Sequence, residues 1–259
     1  MSTPDNNSDL IGKKVFFLYP TVAVQNRIIP ELVQQEYEVY VAKNKEKIKK
    51  ALSKYPDSIV LVDINEQMSE SEWDIWITGL MDAPDTKDVS IGVVTTNDDE
   101  QIMRKFVLAL KIPCGYTVVG HDIEKVISQI IASLQTVNAK GRRKYIRAII
   151  EKGDANSTIN LPVNGNFVNG VIRDISVVGI SCMLEGNPEI PKNTLFKNIQ
   201  IRLQTNLLKV EGILFGTRVE GEETIYVILF TQRVEPDVRT KIRTHIQRTL
   251  QQKMNPDLE

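Results

Sequence analysis

The feature that most constrains this chain is a change in hydrophobic periodicity near residue 145. Before it, continuous apolar runs such as SIVLVDI at 58–64 alternate with segments whose apolar residues recur every three to four positions. After it, apolar and polar residues alternate, as at 179–184 and 198–204. Continuous runs are typical of buried parallel strands, and alternation is typical of antiparallel strands with one covered face. The sequence therefore predicts an α/β domain followed by an all-β domain.

The first half predicts five strands that alternate with five helices. The strands are expected at 13–19, 38–41, 58–64, 89–95 and 115–119, and the helices at 24–36, 45–54, 71–81, 98–110 and 122–134. Asp98, Asp99 and Asp122 stand where side chains cap the starts of the last two helices. Regular alternation of this kind predicts a parallel, flavodoxin-like sheet covered by helices.

The second half predicts short strands that close on themselves. They are expected at 145–152, 157–163, 167–175, 179–184, 198–204, 207–215 and 224–230. Such a series favours an antiparallel barrel, which leaves no exposed sheet edge. A last helix begins at Pro236, and its narrow apolar stripe of Val238, Ile242, Ile246 and Leu250 predicts packing on the barrel. Its cations, Arg239 among them, are expected on a solvated face.

Two polar clusters carry the functional signal. The segment 141–147 (GRRKYIR) contains Arg142, Arg143 and Arg147, and DISVVG begins at Asp174. A guanidinium is a planar, permanently charged fork that fits phosphate oxygens two at a time and can also pair with O6 and N7 of guanine. A carboxylate and a hydroxyl supply an acceptor and a donor for the remaining polar edges. These residue types together suit a ligand that has both phosphates and guanines.

RxxxR, from Arg143 to Arg147, followed by DxSxxG resembles the PilZ domain over about residues 140–254. The resemblance implies a six-stranded β-barrel that binds the bacterial second messenger cyclic di-GMP. It implies that Arg142, Arg143 and Arg147 clamp the phosphates and guanines from a leading arm. By the same resemblance, Asp174 and Ser176 approach from the barrel wall, and Gly179 lets the backbone turn tightly or come near a base. Some domains of this kind bind no messenger, so a scaffold or adaptor is the alternative.

The first half resembles the receiver domain of two-component systems, with departures. Asp63 ends the third strand, where a receiver has its phosphoacceptor, and Thr95 or Thr96 ends the fourth. The sequence after the first strand, at 18–21 (LYPT), lacks the paired acids with which a receiver holds Mg²⁺. The sequence after the fifth strand, at 118–120 (VVG), lacks the lysine with which a receiver contacts the phosphoryl group. Without those acids no site fixes the cation that phosphoryl transfer needs. We interpret the domain as a degenerate receiver used for dimerisation or partner contact. A phosphorylation-controlled response regulator with Asp63 as acceptor is a further alternative.

These observations predict a degenerate receiver-like domain at 10–135, a linker at 136–141, and a PilZ barrel with its C-terminal helix at 142–254. Because the arm follows the linker directly, we expect ligand binding to order the arm, rearrange the two domains and alter a partner interaction. The expected partners are cyclic di-GMP and an unidentified protein. If the receiver-like domain serves for dimerisation, a second copy of the chain is a further partner.

Composition limits the other classes of function. The formal net charge is -1, so no overall field attracts nucleic acid or an anionic membrane. No apolar run reaches the roughly 20 residues of a membrane helix, and the polar start is not a signal peptide, so we expect a cytoplasmic protein. The only histidines, His121 and His245, fall in different predicted domains. Neither a phosphate loop nor a dinucleotide fingerprint is present. We therefore expect no catalytic residue, metal or cofactor.

Overall fold

The computed structural model describes residues 11–65, 67–151, 154 and 156–258. The chain divides into two compact units, one ending at residue 144 and including residues from 251 onward, the other spanning 145–250. This division differs from the predicted boundaries at 135 and 142. Ala139, in the predicted linker, is buried in the first unit, and its carbonyl accepts from the N–H of Lys13 at 2.8 Å. Two predicted bounds, residue 10 and Lys152, lie outside the described residues.

The first unit contains a five-stranded sheet in which every described pairing is parallel. Its strands are β1 (Val15–Leu18), β2 (Val39–Ala42), β3 (Ile59–Val62), β4 (Ser90–Thr95) and β5 (Tyr116–Val118). Their order across the sheet is β2-β1-β3-β4-β5. This is the flavodoxin-like order, so the predicted fold class of this half is confirmed.

A helical segment follows each of these strands, as the periodicity predicts. The helical segments are Val24–Ile28 with Ile29–Gln34, Lys45–Lys54, Glu70–Asp82, Glu100–Arg104 with Lys105–Ala109, and Ile123–Thr136. The helices that begin at Lys45, Glu70, Glu100 and Ile123 have side-chain caps at their starts, each of which stabilises a helix by about 1 kcal/mol. Asp99 accepts from two backbone N–H groups and Asp122 from that of Lys125, as predicted. Ser69 and Glu72 form a reciprocal capping box.

The described residues of the second unit form seven antiparallel strands, six of which close into a barrel. They are β6 (Arg147–Ile149), β7 (Ser157–Val163), β8 (Asn166–Ser176), β9 (Gly179–Leu184), β10 (Leu195–Leu203), β11 (Asn206–Glu220) and β12 (Glu223–Phe230). The order is β8-β7-β10-β11-β12-β9, and a pairing of β9 with β8 completes the ring. The predicted six-stranded barrel is confirmed. The short strand β6 adds to the second half of β8, beyond the part that pairs with β7.

The helix Pro236–Leu258 covers part of the barrel core. Ile242 is fully buried and Ile246 nearly so, and Val238 and Leu250 pack against the same cluster, as the predicted stripe requires. Cys182 lies in this core and is a free thiol. Burial raises the pKa of Cys182 to about 12, which keeps the thiol protonated and unreactive.

From residue 251 onward this helix belongs to the first unit. There the side-chain amide of Gln251 donates to the carbonyl of Val41 at 3.0 Å and accepts from the N–H of Val41 at 2.8 Å. Because β2 is an edge strand, this pair of bonds satisfies backbone groups that the sheet leaves open. Within the described part of the chain, no helix has the length and apolar character needed to span a membrane.

Candidate functional site

The pairing of β6 with β8 brings residues of the two sequence motifs together. Arg147 pairs with Ser176, and Ile149 pairs with Asp174. The Nη1 atom of Arg147 lies 3.6 Å from Oδ1 of Asp174, and their side chains are 47% and 20% exposed. An ion pair this open to water contributes little to stability, because solvent screens it. Its groups therefore remain accessible to a ligand on the outer face of the barrel.

A β-bulge aims Asp174 outward. The register between β8 and β9 shifts between Ile172 and Asp174. Ile172 and Ile175 are buried in the barrel core, so the two residues between them share the outer face. Arg173, the extra residue, approaches Glu223 with 3.3 Å between Nη1 and Oε2. Arg173 matches no motif position, and this ion pair gives it a partner in the barrel wall.

Ser181 orients the carboxylate of Asp174, and sequence reasoning missed it. The Ser181 hydroxyl donates to Oδ2 of Asp174, and the two residues are cross-strand partners in β8 and β9. Ser181 is only 2% exposed. The hairpin register could have indicated Ser181. When Ser176 pairs with Gly179, the residues two positions further from the turn, Asp174 and Ser181, also pair.

The hydroxyl of Ser176 is engaged in the turn that joins β8 to β9. It donates to the carbonyl of Gly179 at 3.2 Å and accepts from the N–H of Val178 at 3.4 Å. Ser176 is 4% exposed. Local bonds of this kind fix a turn. In this structure the hydroxyl therefore holds the loop, and its role as a ligand donor stays a prediction.

Gly179 is required by the closure of the barrel. A Cβ atom added there would lie 2.5 Å from the carbonyl oxygen of Ile228 and 3.2 Å from Cα of Leu229. Both are backbone atoms of β12, the strand that pairs with β9. The close approach found in the structure is therefore that of the neighbouring strand, and an approach of Gly179 to a base of the ligand stays a prediction.

Arg239 anchors the same turn from the C-terminal helix. Its Nη1 donates to the carbonyl of Val177 at 3.0 Å, and its Nη2 donates to the carbonyl of Thr231 at 2.8 Å. The helical pattern predicted a solvated position for this side chain, which is wrong for Arg239. A fixed guanidinium with two carbonyl partners holds the motif turn to the end of β12.

The remaining predicted arginines precede the barrel unit. Arg142 is exposed and Arg143 is half-buried, and both lie in the last residues of the first unit. Arg147 alone of the three belongs to the barrel unit. Contacts of Arg142 and Arg143 with a ligand stay predictions.

Asp63 lies at the end of β3 in the first unit and is 5% exposed. Its Oδ1 accepts from the N–H of Asn65 at 3.0 Å, and the Thr95 hydroxyl donates to Oδ1 of Asn65 at 2.6 Å. The N–H of Asp63 donates to the carbonyl of Leu18 at 3.0 Å. These contacts give the carboxylate a structural role in a partly buried hydrogen-bond network. Phosphorylation of Asp63 stays an untested alternative.

Solved structures that the chain is similar to include a PilZ domain with c-di-GMP. The PilZ domain of YcgR from Escherichia coli with c-di-GMP has 17% identity and a TM-score of 0.38, and the match covers 44% of this chain and 96% of that one. The MrkH–c-di-GMP complex from K. pneumonia has 16% identity and a TM-score of 0.40, with 46% and 57% covered. The Bacillus subtilis inhibitor of motility MotI/DgrA has 15% identity and a TM-score of 0.36, with 44% and 52% covered.

The chain thus spans about half the length of the MrkH and MotI chains that it matches. No protein-family model matches the chain, and no curated protein sequence does so. The likeness found is to solved structures that include a PilZ domain and complexes with c-di-GMP.

Proposed function

We propose that this chain is a cyclic di-GMP receptor of the PilZ type. One observation carries the proposal. The pairing of β6 with the end of β8 places the guanidinium of Arg147 3.6 Å from the carboxylate of Asp174 on the outer barrel face. Residues from two separate motifs, which resemble those of a messenger-binding family, therefore meet at one solvent-accessible point.

The two groups complement the edges of such a ligand. The guanidinium of Arg147 has paired donors for phosphate oxygens or for O6 and N7 of guanine. The carboxylate oxygens of Asp174 are acceptors, so they suit the N–H groups of a guanine edge. Ser181 holds that carboxylate in one orientation. A ligand that covers the pair also removes water, which strengthens each electrostatic contact.

Ordering of the arm is the proposed physical consequence of binding. Fixing the backbone of each residue costs about 1–2 kcal/mol. Each charge-assisted hydrogen bond contributes about 1.5–3 kcal/mol. Several bonds from Arg142, Arg143 and Arg147 are therefore needed before the segment 141–147 closes on the ligand. Because this segment joins the two units, its closure would rearrange them and change how a protein partner is bound.

Titration calorimetry with cyclic di-GMP on the full chain tests the proposal. The wild type should bind, and Arg143→Ala and Asp174→Ala should abolish detectable binding. Arg202→Ala is the matched control, because Arg202 is an exposed arginine elsewhere on the barrel, in β10. An absence of heat and of competition in a folded wild type would contradict the proposal and favour the scaffold alternative. X-ray scattering with and without saturating ligand tests the rearrangement separately, and identical curves would argue against it.

A further inference from the structure

Two exposed apolar side chains flank the polar centre formed by Arg147 and Asp174. Ile149 on β6 is 68% exposed and pairs with Asp174. Leu229 on β12 is 42% exposed and pairs with Gly179. Directly opposed residues of antiparallel strands place their side chains on the same face. Both apolar groups therefore stand on the outer face that carries the candidate site.

The strand register arranges these residues in two neighbouring rows. The first row runs across the strands through Ile149, Asp174, Ser181 and Val227. The second row runs through Arg147, Ser176, Gly179 and Leu229. The first row thus contains Asp174 of the polar centre and the exposed Ile149. The second row contains Arg147 of the polar centre and the exposed Leu229.

In the second row, two small residues separate the two large side chains. Adjacent strands lie about 4.8 Å apart, so Arg147 and Leu229 are about 14 Å apart along the row. Only Ser176 and Gly179 stand between them. One of the terminal methyl carbons of Leu229 lies 3.3 Å from the place that a Cβ atom of Gly179 would take. The side chain of Leu229 therefore leans over the glycine toward the polar centre.

We propose that Ile149 and Leu229 supply the apolar contacts for the flat rings of the ligand, one on each side of the polar centre. The inference rests on the proposed function and names further binding residues for it. Charged contacts as exposed as that of Arg147 are weak while water screens them. Contact with Ile149 and Leu229 buries the faces of the bases and excludes that water. The residues that surround a binding hot spot at an interface act in the same way. The chemistry selected is that of a nucleotide with large planar bases.

The test is the affinity of the full chain for cyclic di-GMP after each apolar group is replaced. Ile149→Ser and Leu229→Ser should each raise Kd by about 5- to 20-fold, the range expected when apolar contact area is lost. The slope of affinity against salt concentration should stay that of the wild type, because no charge has changed. Arg147→Gln should instead alter both the affinity and that slope.

The control is Leu207→Ser, because Leu207 is a 69% exposed leucine on β11 that pairs with Arg202 instead of a motif residue. Its affinity should equal that of the wild type. Calorimetric melting of each variant checks folding, and Ile149→Thr offers a second, β-branched replacement that keeps strand propensity.

The possible outcomes separate the two proposals. If the wild type binds and both serine variants stay within about twofold of it, or if the control weakens binding equally, the apolar contacts are refuted while the receptor function stands. Weakening by only one variant removes the other residue from the site. If the wild type itself does not bind, the proposed function fails.

Discussion

Replacing Gly179 by alanine tests whether the barrel, more than the ligand, requires the motif glycine. The new Cβ atom would lie 2.5 Å from the carbonyl oxygen of Ile228 and 3.2 Å from Cα of Leu229. Both atoms belong to the backbone, so no rotamer change relieves the contact. The β9–β12 pairing must open locally, next to the bond from the N–H of Phe230 to the carbonyl of Val178 at 2.8 Å.

The magnitude follows from the cost of overpacking. Forcing an extra carbon into a closed site typically costs about 1–3 kcal/mol. In a domain of this size each kcal/mol lowers the melting temperature by roughly 4–8 °C, so we expect a loss of about 5–20 °C. Gly216→Ala is the matched control, because a Cβ atom on Gly216, also in a barrel strand, meets no atom within 4 Å. Gly216→Ala should lower the melting temperature far less than Gly179→Ala does.

Differential scanning calorimetry is the appropriate assay. The chain has two tryptophans, Trp73 and Trp76, and both lie in the first unit, so tryptophan fluorescence would not report directly on the barrel. The reasoning would be refuted if Gly179→Ala melted with the wild type. Equal losses in the Gly179 and Gly216 variants would refute it as well, because the specific contact with β12 would then be irrelevant.

Three further predictions concern the turn, the carboxylate and a buried histidine. Arg239→Met should lower the free energy of unfolding by about 1–3 kcal/mol, because the carbonyl of Val177 loses a charged donor; denaturant melts measure this. Ser181→Ala should weaken cyclic di-GMP binding about 3- to 10-fold in calorimetry, because the carboxylate of Asp174 loses the hydroxyl that orients it. Burial lowers the pKa of His245, so the unfolded chain binds more protons and stability should fall as pH drops below about 6.5. His245→Gln should reduce that acid loss, measured as the difference in unfolding free energy between pH 7 and more acidic buffer.

Each of these predictions has a control in the chain. Lys241→Met removes a cation of the same helix whose partner is Asp237, in an exposed i,i+4 pair worth only about 0.3–0.5 kcal/mol. Thr217→Ala removes an exposed hydroxyl from another barrel strand, and it should leave ligand affinity unchanged. His121→Gln changes an exposed histidine of the first unit and is the control for the pH measurement. Equal effects in a variant and its control would contradict the corresponding prediction.

The regular parts of the fold were predictable because their signals are local. Helix Lys45–Lys54 and strand Ser157–Val163 have the bounds that periodicity predicts. The caps Asp99 and Asp122 mark helix starts with a side chain and nearby N–H groups, which sequence displays directly. The switch from helical to alternating periodicity likewise separates the two classes of fold, because it reports which faces are covered.

The rest depends on contacts between distant segments. The burial of Ser176 follows from the turn geometry, and the approach of β12 to Gly179 follows from ring closure. Neither is visible in the spacing of DxSxxG. Arg239 resembles an ordinary exposed helical cation until the turn carbonyls are placed beside it. The division of the C-terminal helix at residue 251 also lacks a local signal, because Gln251 is a polar residue whose partner lies in β2.

Backbone amide NMR during a titration with cyclic di-GMP would locate the ligand on the barrel and so show whether the two motifs bind it together. We expect the largest shifts at Arg147–Ile149 and from Asp174 to Ser181, and we expect Asp174→Ala to remove them. A groove of about 480 Å³ lined by Asn160 and Gln200 lies on the same barrel and serves as an internal reference. Shifts confined to that groove, or no shifts at saturating ligand, would contradict the claim that the two motifs form one binding site.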